Sequence, residues 1–230
     1  MNKTIGKMIL DNLKKPRHVT EYDITKPLIS KDVISELLKN AYEVTPSKNN
    51  IVAWQVHVLG PEHQKYKDII YDKSCDNDTR MNKGNTEFED IASGTERKDV
   101  NYANLTSCQY LLIITQRLGT LTSTYQKLAW KRGIFFDPCT EKGLEDSREP
   151  ICVESGMFAM AFRGLAAEKG IDTSFTGNFS RSPEHWKELP FIDRRVNLMI
   201  TVGHAKKYRR ETFPIDYDYK PNYEDIIKWI

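Results

Sequence analysis

Several common functional signatures are missing from this sequence. No segment approaches the roughly 18 consecutive apolar residues that a membrane-spanning helix requires. The opening MNKTIGKMIL carries Lys7 where the apolar core of a secretion signal would run. Cysteine is sparse: Cys75, Cys108, Cys139 and Cys152 are scattered and form no CxxC pair, which excludes a disulfide framework or zinc knuckle and points to ordinary reduced thiols. The five histidines include no HExxH or other metal spacing, and no GxSxG elbow is present, so zinc hydrolysis and the nucleophile-elbow hydrolases have no support and no metal is expected. Charge of one sign is lacking too. Lys and Arg total 34 against 32 Asp and Glu, a net +2, which argues against a general polyanion binder. With no platform of interleaved aromatic and basic residues, nucleic acid is not an expected partner, nor is a membrane. A cytoplasmic protein is the reading that remains.

What is present suits a folded chain. Apolar residues make up 39% of the 230 and aromatics 10%, enough to bury a sizeable interior in one domain spanning 1–230. Ile5, Met8, Ile9 and Leu13 suggest a short N-terminal helix. Ile29, Val33, Ile34, Leu37, Leu38 and Ala41 recur at helical spacing, with Ser30 as N-cap. Trp54, Val56 and Val58 alternate with Gln55 and His57 as in a half-buried strand, while YLLIIT (110–115) and VNLMITV (196–202) read as central strands. From Ile151 to Lys169 the helical pattern returns, rich in Gly and Ala, with Gly170 as its stop. SPEHWKEL (182–189) starts a further helix by the same reasoning, with Ser182 as cap and Pro183 in the first turn. Between these elements lie a polar excursion at 72–104 and an irregular stretch at 118–150 that carries Tyr125, Trp130, Phe135 and Phe136, a composition that suits a lid or binding excursion and equally a surface insertion with its own small aromatic cluster. Helices around a few strands imply an α+β fold.

Four short stretches can carry chemistry. RHVTEYD (17–23) offers Arg17, whose fork suits a phosphate or carboxylate. TPSKNNIVAW (45–54) places Ser47, Lys48, Asn49 and Asn50 between a helix and a strand; taken alone, it is turn chemistry. DTSFTGNFSRSP (172–183) contains Gly177, which permits close backbone approach to a ligand. HAKKYRRE (204–211) crowds Lys206, Lys207, Arg209 and Arg210 at the exit of a core strand, enough charge for a phosphate group, although such clusters are commonly solvated surface.

In that order, the four stretches resemble the FMN-dependent nitroreductase family. RHVTEY is similar to its Arg-Ser-x-Arg-x-Phe stretch, with Arg17 at the first arginine and Tyr22 at the aromatic position. PSKNNIVAW is similar to Pro-Ser-Ser-x-Asn-x-Gln-Pro-Trp through Pro46, Ser47, Asn50 and Trp54. The small-residue helix followed by FTGNF resembles the family's Leu-Ala-Ala helix and flavin-facing glycine turn, and VGHAKKYRR its Val-Gly strand end with trailing basic residues. His18 stands where serine is usual, Thr20 where the second arginine is, and Val52–Ala53 where Gln-Pro is common.

The resemblance implies an α+β sandwich, a mainly antiparallel central sheet flanked by helices, assembled as an intertwined homodimer with FMN at the interface. It implies a tail, 212–230, that embraces the partner. The cofactor-binding set it implies is Arg17, His18, Thr20, Pro46, Ser47, Lys48, Asn50, Thr176, Gly177, Lys207 and Arg209. Arg17, Lys207 and Arg209 would take the phosphate, Ser47 and Asn50 the ribityl chain or ring edge, and the amides around Thr176–Gly177 the ring. The implied reaction is ping-pong reduction of nitroaromatics, quinones or a related small acceptor by NAD(P)H. No side chain is implied as catalytic acid or base, since the flavin carries the hydride. The same scaffold would also suit a reductive dehalogenase, a flavin-fragmenting enzyme or a non-catalytic flavin binder.

Overall fold

The structure, a computed structural model, describes residues 18–47, 50–82, 104–133, 138–177, 179–208 and 223–227. The N-terminal segment, and with it the helix expected at 5–13, lies outside these. Strand β1 (Val19–Tyr22) is followed by helix α1 (Lys31–Val44), strand β2 (Trp54–Leu59), a 3₁₀ turn at Pro61–His63 and helix α2 (Gln64–Asn82). Then come β3 (Tyr110–Gln116), α3 (Thr124–Lys131), α4 (Glu141–Asp146), the long α5 (Arg148–Glu168), β4 (Asp172–Thr176), β5 (Val196–Gly203), β6 (Ala205–Tyr208) and α6 (Tyr223–Ile226).

Four strands form one antiparallel sheet in the order β2-β3-β5-β4, and β1 pairs with β6 in a separate antiparallel ribbon. All seven residues of β3 are buried because the sheet is covered on both faces, which explains its unbroken apolar sequence. Tyr110, Leu112 and Ile114 join Ile34, Leu37 and Ala41 of α1 and Phe158, Phe162 and Ala166 of α5 in one cluster. Leu111 and Ile113 face the other way, into a cluster with Ile70, Phe179, Trp186 and Leu189. Lys67 is buried under that second layer, donating from Nζ to the carbonyls of Cys108 (2.9 Å) and Gln109 (3.1 Å), and burial pulls its pKa down.

Local signals act where the sequence places them. The Ser30 hydroxyl accepts from the Val33 amide and starts α1. Helix α5 ends in a Schellman arrangement: Gly170, at φ +70°, donates to Ala167 O while Ile171 donates to Ala166 O. The opposite face of α5 is unusual for a long central helix. Val153, Met157 and Met160 are exposed by 61%, 38% and 53%, and they share one side of the helix with Gly156 and Gly164. Among the described residues outside the helix's own backbone, a Cβ at either glycine would meet nothing within 4 Å.

Three expectations require correction. SPEHWKEL forms only a 3₁₀ turn, Pro183–Trp186, because the chain must bend to bury Trp186 fully and to bond its indole nitrogen to Ser180 O at 2.7 Å. Residues 72–82 of the polar stretch continue α2, and the residues from 104 to 107 are again helical, so the excursion is shorter than its composition suggests. The stretch 118–150 holds α3, capped by a Ser123–Gln126 box, and α4, capped by Thr140. Trp130 on α3 is partly exposed, while the side chains of Tyr125, Phe135 and Phe136 lie outside the described residues.

Candidate functional site

The first and fourth chemistry-bearing stretches meet directly. β1 and β6 pair with Val19 opposite Tyr208, Glu21 opposite Lys207 and Tyr22 opposite Ala205. Thr20 is buried, and its hydroxyl donates to Lys207 O at 3.3 Å, tying the ribbon across. Lys206 and Lys207 share one carboxylate: their Nζ atoms lie 2.5 and 3.3 Å from the two oxygens of Glu21. The hydrogen bond from Lys206 is the main reason that the Glu21 carboxyl stays below its ordinary pKa. Two cations against one anion leave the ribbon with surplus positive charge.

The ribbon is anchored beside β4, where the third stretch lies. Asp172 accepts from the Ala205 amide (2.9 Å) and the Tyr208 hydroxyl (3.1 Å), and His18 Nδ1 sits 3.1 Å from Ser174 Oγ. Tyr22 is fully buried and hydrogen-bonds Thr201 at 2.9 Å, so its phenol is pushed well above the ordinary value by burial. Its ring explains the Val-Gly strand end: a Cβ on Gly203 would stand 2.7 Å from Tyr22 Cδ1. At the end of β4, Thr176 Oγ1 is buried with no hydrogen-bond partner among the described residues. Outward from Gly177, among the described residues and its chain neighbours aside, only Arg181 Nη2 comes within 4 Å of where a Cβ would stand, at 3.9 Å. A flat group can therefore approach this turn and offer Thr176 the partner it lacks.

The second stretch lies elsewhere. Pro46, Ser47 and Asn50 precede β2, at the far edge of the sheet from β4. The Ser47 hydroxyl accepts from the Val52 amide at 3.0 Å, and Asn50 N donates to Ser47 O at 3.1 Å. Both Asn50 (φ +55°) and Val52 (φ +48°) are left-handed, uncommon for any non-glycine and an outlier for a β-branched side chain. The loop is also crowded from behind, since a Cβ on Gly119 would lie 2.3 Å from Ile51 Cγ2. Strain of about 1–3 kcal/mol at such a residue persists only where its surroundings enforce it, and it collects at ligand-binding loops.

One chain thus gathers His18, Thr20, Thr176, Gly177 and Lys207 near β4 but leaves Pro46, Ser47 and Asn50 three strand spacings away, roughly 14 Å across the sheet. The Thr176–Gly177 turn and the β2 loop lie at the same end of the strands: Trp54 pairs with Gln116, Gln116 N donates to Arg195 O, and Thr176 pairs with Met199, whereas β6 follows the other end of β5, after Gly203. Arg17, Lys48 and Arg209 lie outside the described residues. A further set of polar residues at this end, Gln116, Arg148, Arg181 and Arg195, has no motif in the sequence. Only Arg181 lies inside one of the four stretches, DTSFTGNFSRSP.

The family model of the nitroreductase family matches residues 21–204, which covers the second half of β1 and the whole four-stranded sheet, β2 through β5. The chain belongs to the nitroreductase family. Membership supports a flavin-dependent reductase in general. A search of the curated proteins returns no match. Among solved structures, the chain is similar to a Bacillus subtilis protein assigned as a nitroreductase, with 16% identity, TM-score 0.65, and coverage of 98% of this chain and 100% of that one. It is similar also to a Staphylococcus epidermidis protein assigned as an NAD(P)H:FMN oxidoreductase (16% identity, TM-score 0.61, 96% and 95% covered). A third is an Exiguobacterium sibiricum protein assigned as a nitroreductase and solved in complex with FMN (16% identity, TM-score 0.56, 96% and 97% covered). At these identities the likenesses show the nitroreductase fold, α+β with an antiparallel sheet. No helix among the described residues is long and apolar enough to cross a membrane.

Proposed function

We propose that this nitroreductase-family protein binds FMN and uses NAD(P)H to reduce a small acceptor such as a nitroaromatic or a quinone, and that it works as a homodimer. The observation that carries the reading is the division of the motif residues between opposite edges of one sheet. Neither edge is complete, and a second copy supplies the missing half if β2 of one protomer meets β4 of its partner. The exposed stripe of Val153, Met157 and Met160, with open space before Gly156 and Gly164, supports such pairing through α5: large apolar side chains gain by leaving water, and the glycines let a second helix approach closely. The tail fits the same picture, since Ile226 and Ile227 are exposed and would gain by covering a partner.

The residues present suit FMN. Lys207, with Arg17 and Arg209, would hold the phosphate, the ribbon's surplus positive charge making the site favourable for a dianion. The Thr176–Gly177 turn would receive the ring edge, and Ser47 and Asn50 of the partner the ribityl chain or ring. When bound, FMN supplies the two-electron chemistry that no side chain here can perform. The protein's part is to orient and to shield, and protons come from water.

Two measurements test this. The purified protein is expected to show flavin absorption that bleaches with NADPH or NADH and returns when a quinone is added; a colourless protein that takes up no added FMN refutes the reading. Met157→Glu with Met160→Glu is expected to give a monomer in sedimentation and to weaken FMN binding at least tenfold, because like charges cannot be buried face to face. A monomeric variant that binds FMN normally would show that each chain builds its own site.

A further inference from the structure

Three arginines from separate parts of the chain converge beside the Thr176–Gly177 turn, and none belongs to the phosphate set. Arg181 spans the gap between the turn and β5: Nη1 donates to Val196 O at 3.4 Å and closely to Asn197 O, while Nη2 stands by Gly177. Arg195 precedes β5, and its side chain bonds the Cys152 thiol of α5. Arg148 is the first residue of α5 and pairs with the exposed Glu145. The fourth arginine nearby, Arg194, is already occupied by both oxygens of Glu141 at 2.6 and 2.8 Å.

What distinguishes the cluster is unused hydrogen-bonding capacity at depth. Arg148 Nε and Arg195 Nε are buried without a partner among the described residues. So is Nε2 of Gln116, a residue only 5% exposed that lies on the α5 face of β3, next along from Ile114, with its own amide bonded to Arg195 O. Ser147, only 1% exposed, is the N-cap residue of the 21-residue α5, yet its hydroxyl caps nothing and bonds nothing. Arg148 thus brings the start of a long helix to the same corner. Glu145, an exposed carboxylate, pairs with Arg148, and Arg195 is held below its ordinary pKa first by burial and then by Arg148 and Arg181. Buried donors without acceptors are unfavourable. Three guanidinium groups, an amide and a helix N-terminus offer a common solution, one oxyanion.

We propose that Arg148, Arg181, Arg195 and Gln116 form an oxyanion subsite that takes the carboxylate or phosphate of a substrate while its reacting end lies at the Thr176–Gly177 turn. The assignment of that end rests on the flavin-reductase reading, whereas the anion site itself does not. The shared chemistry is a planar or tetrahedral oxyanion, carried either by the acceptor or by the 2′-phosphate of a nicotinamide nucleotide.

The test is equilibrium binding to the FMN-loaded protein, and to the protein as purified should no FMN bind. Titration calorimetry compares benzoate with its neutral isostere benzamide, and adenosine 2′-phosphate with adenosine. The anionic member of one pair is expected to bind at least tenfold more tightly, and Arg195→Gln or Arg148→Gln to remove about tenfold of that preference. Arg195→Lys, which keeps the charge but loses the fork, is expected to restore only part of it and guards against misfolding of the glutamine variants. Benzoate dependence identifies an anionic acceptor, and adenosine 2′-phosphate dependence a phosphorylated nucleotide donor. In turnover, the ratio of kcat/KM for 4-nitrobenzoate over 4-nitrobenzyl alcohol is expected to fall about tenfold in Arg195→Gln if the acceptor is the anion. If neither anion is preferred over its neutral partner, or if the variants bind both as the wild type does, the subsite does not exist. Failure to take up FMN would refute the reductase reading while leaving the binding comparison decisive for the anion site.

Discussion

At the β4 edge of the sheet the site residues are held by many hydrogen bonds in ordinary backbone, whereas at the β2 edge they are held by few bonds in strained backbone. Asp172, Tyr22 and Thr20 fasten the ribbon to the sheet and to itself, so Lys207 and the Gly177 turn share a rigid frame. The β2 loop depends on the Ser47 hydroxyl to stabilise the turn around Asn50 and Val52. A frame can bind phosphate within its own chain. A strained loop at the opposite edge of the sheet from that frame makes sense as a surface presented to something else, and under the dimer reading that is the partner's flavin.

The largest test of this contrast is Gly203→Val. A side chain there collides with the Tyr22 ring at the joint between ribbon and sheet, so a loss of about 3 kcal/mol in urea unfolding is expected, with loss of FMN. A stable variant that still holds FMN would mean the ribbon does not need this packing. Ser47→Ala comes next. It leaves the Val52 amide without its acceptor, and the expected cost is about 1 kcal/mol. FMN affinity should fall more than stability does, as measured by flavin fluorescence; equal effects would reduce the loop to a structural turn.

The smallest effect concerns Glu21. Glu21→Gln releases Lys206 and Lys207, and FMN affinity is expected to rise by a few fold with stability changed by less than about 1 kcal/mol, as for exposed ion pairs. The pH dependence has a definite sign. Because the folded carboxyl lies below its unfolded value, its stabilisation is present above about pH 4.3 and is lost as pH falls through the folded pKa. The wild-type advantage over Glu21→Gln should therefore shrink toward acid, and an advantage that grows there would contradict the ion pairs.

The sequence was most legible where pattern and burial coincide. α1 was predictable because Ile34, Leu37 and Ala41 repeat on one face behind a serine cap, and β3 and β5 because strands covered on both faces admit no polar alternation. It misled where composition outweighed local geometry. The polar residues from 72 onward looked like a loop because the hydrophobic rhythm of α2 fades there, although helix continues to Asn82. SPEHWKEL carried a helix's start signals but ended after one turn, since burying Trp186 required the chain to bend.

Local chemistry alone determined the four stretches, their order and hence the family: Arg17, PSKNN, FTGN and KKYRR are readable one after another without coordinates. It also determined where helices stop, as at Gly170, because a left-handed residue is a property of a few consecutive positions. Which stretches meet was a tertiary decision. Strand order put PSKNN and FTGN at opposite edges, and antiparallel pairing put RHVTEY against AKKY, outcomes that depend on pairing between strands distant in sequence, more than 180 positions apart for β1 and β6. The convergence of Arg148, Arg181 and Arg195 is of the same kind. No spacing connects them, because only the packing of α5 against the start of β5 brings their charges into one corner.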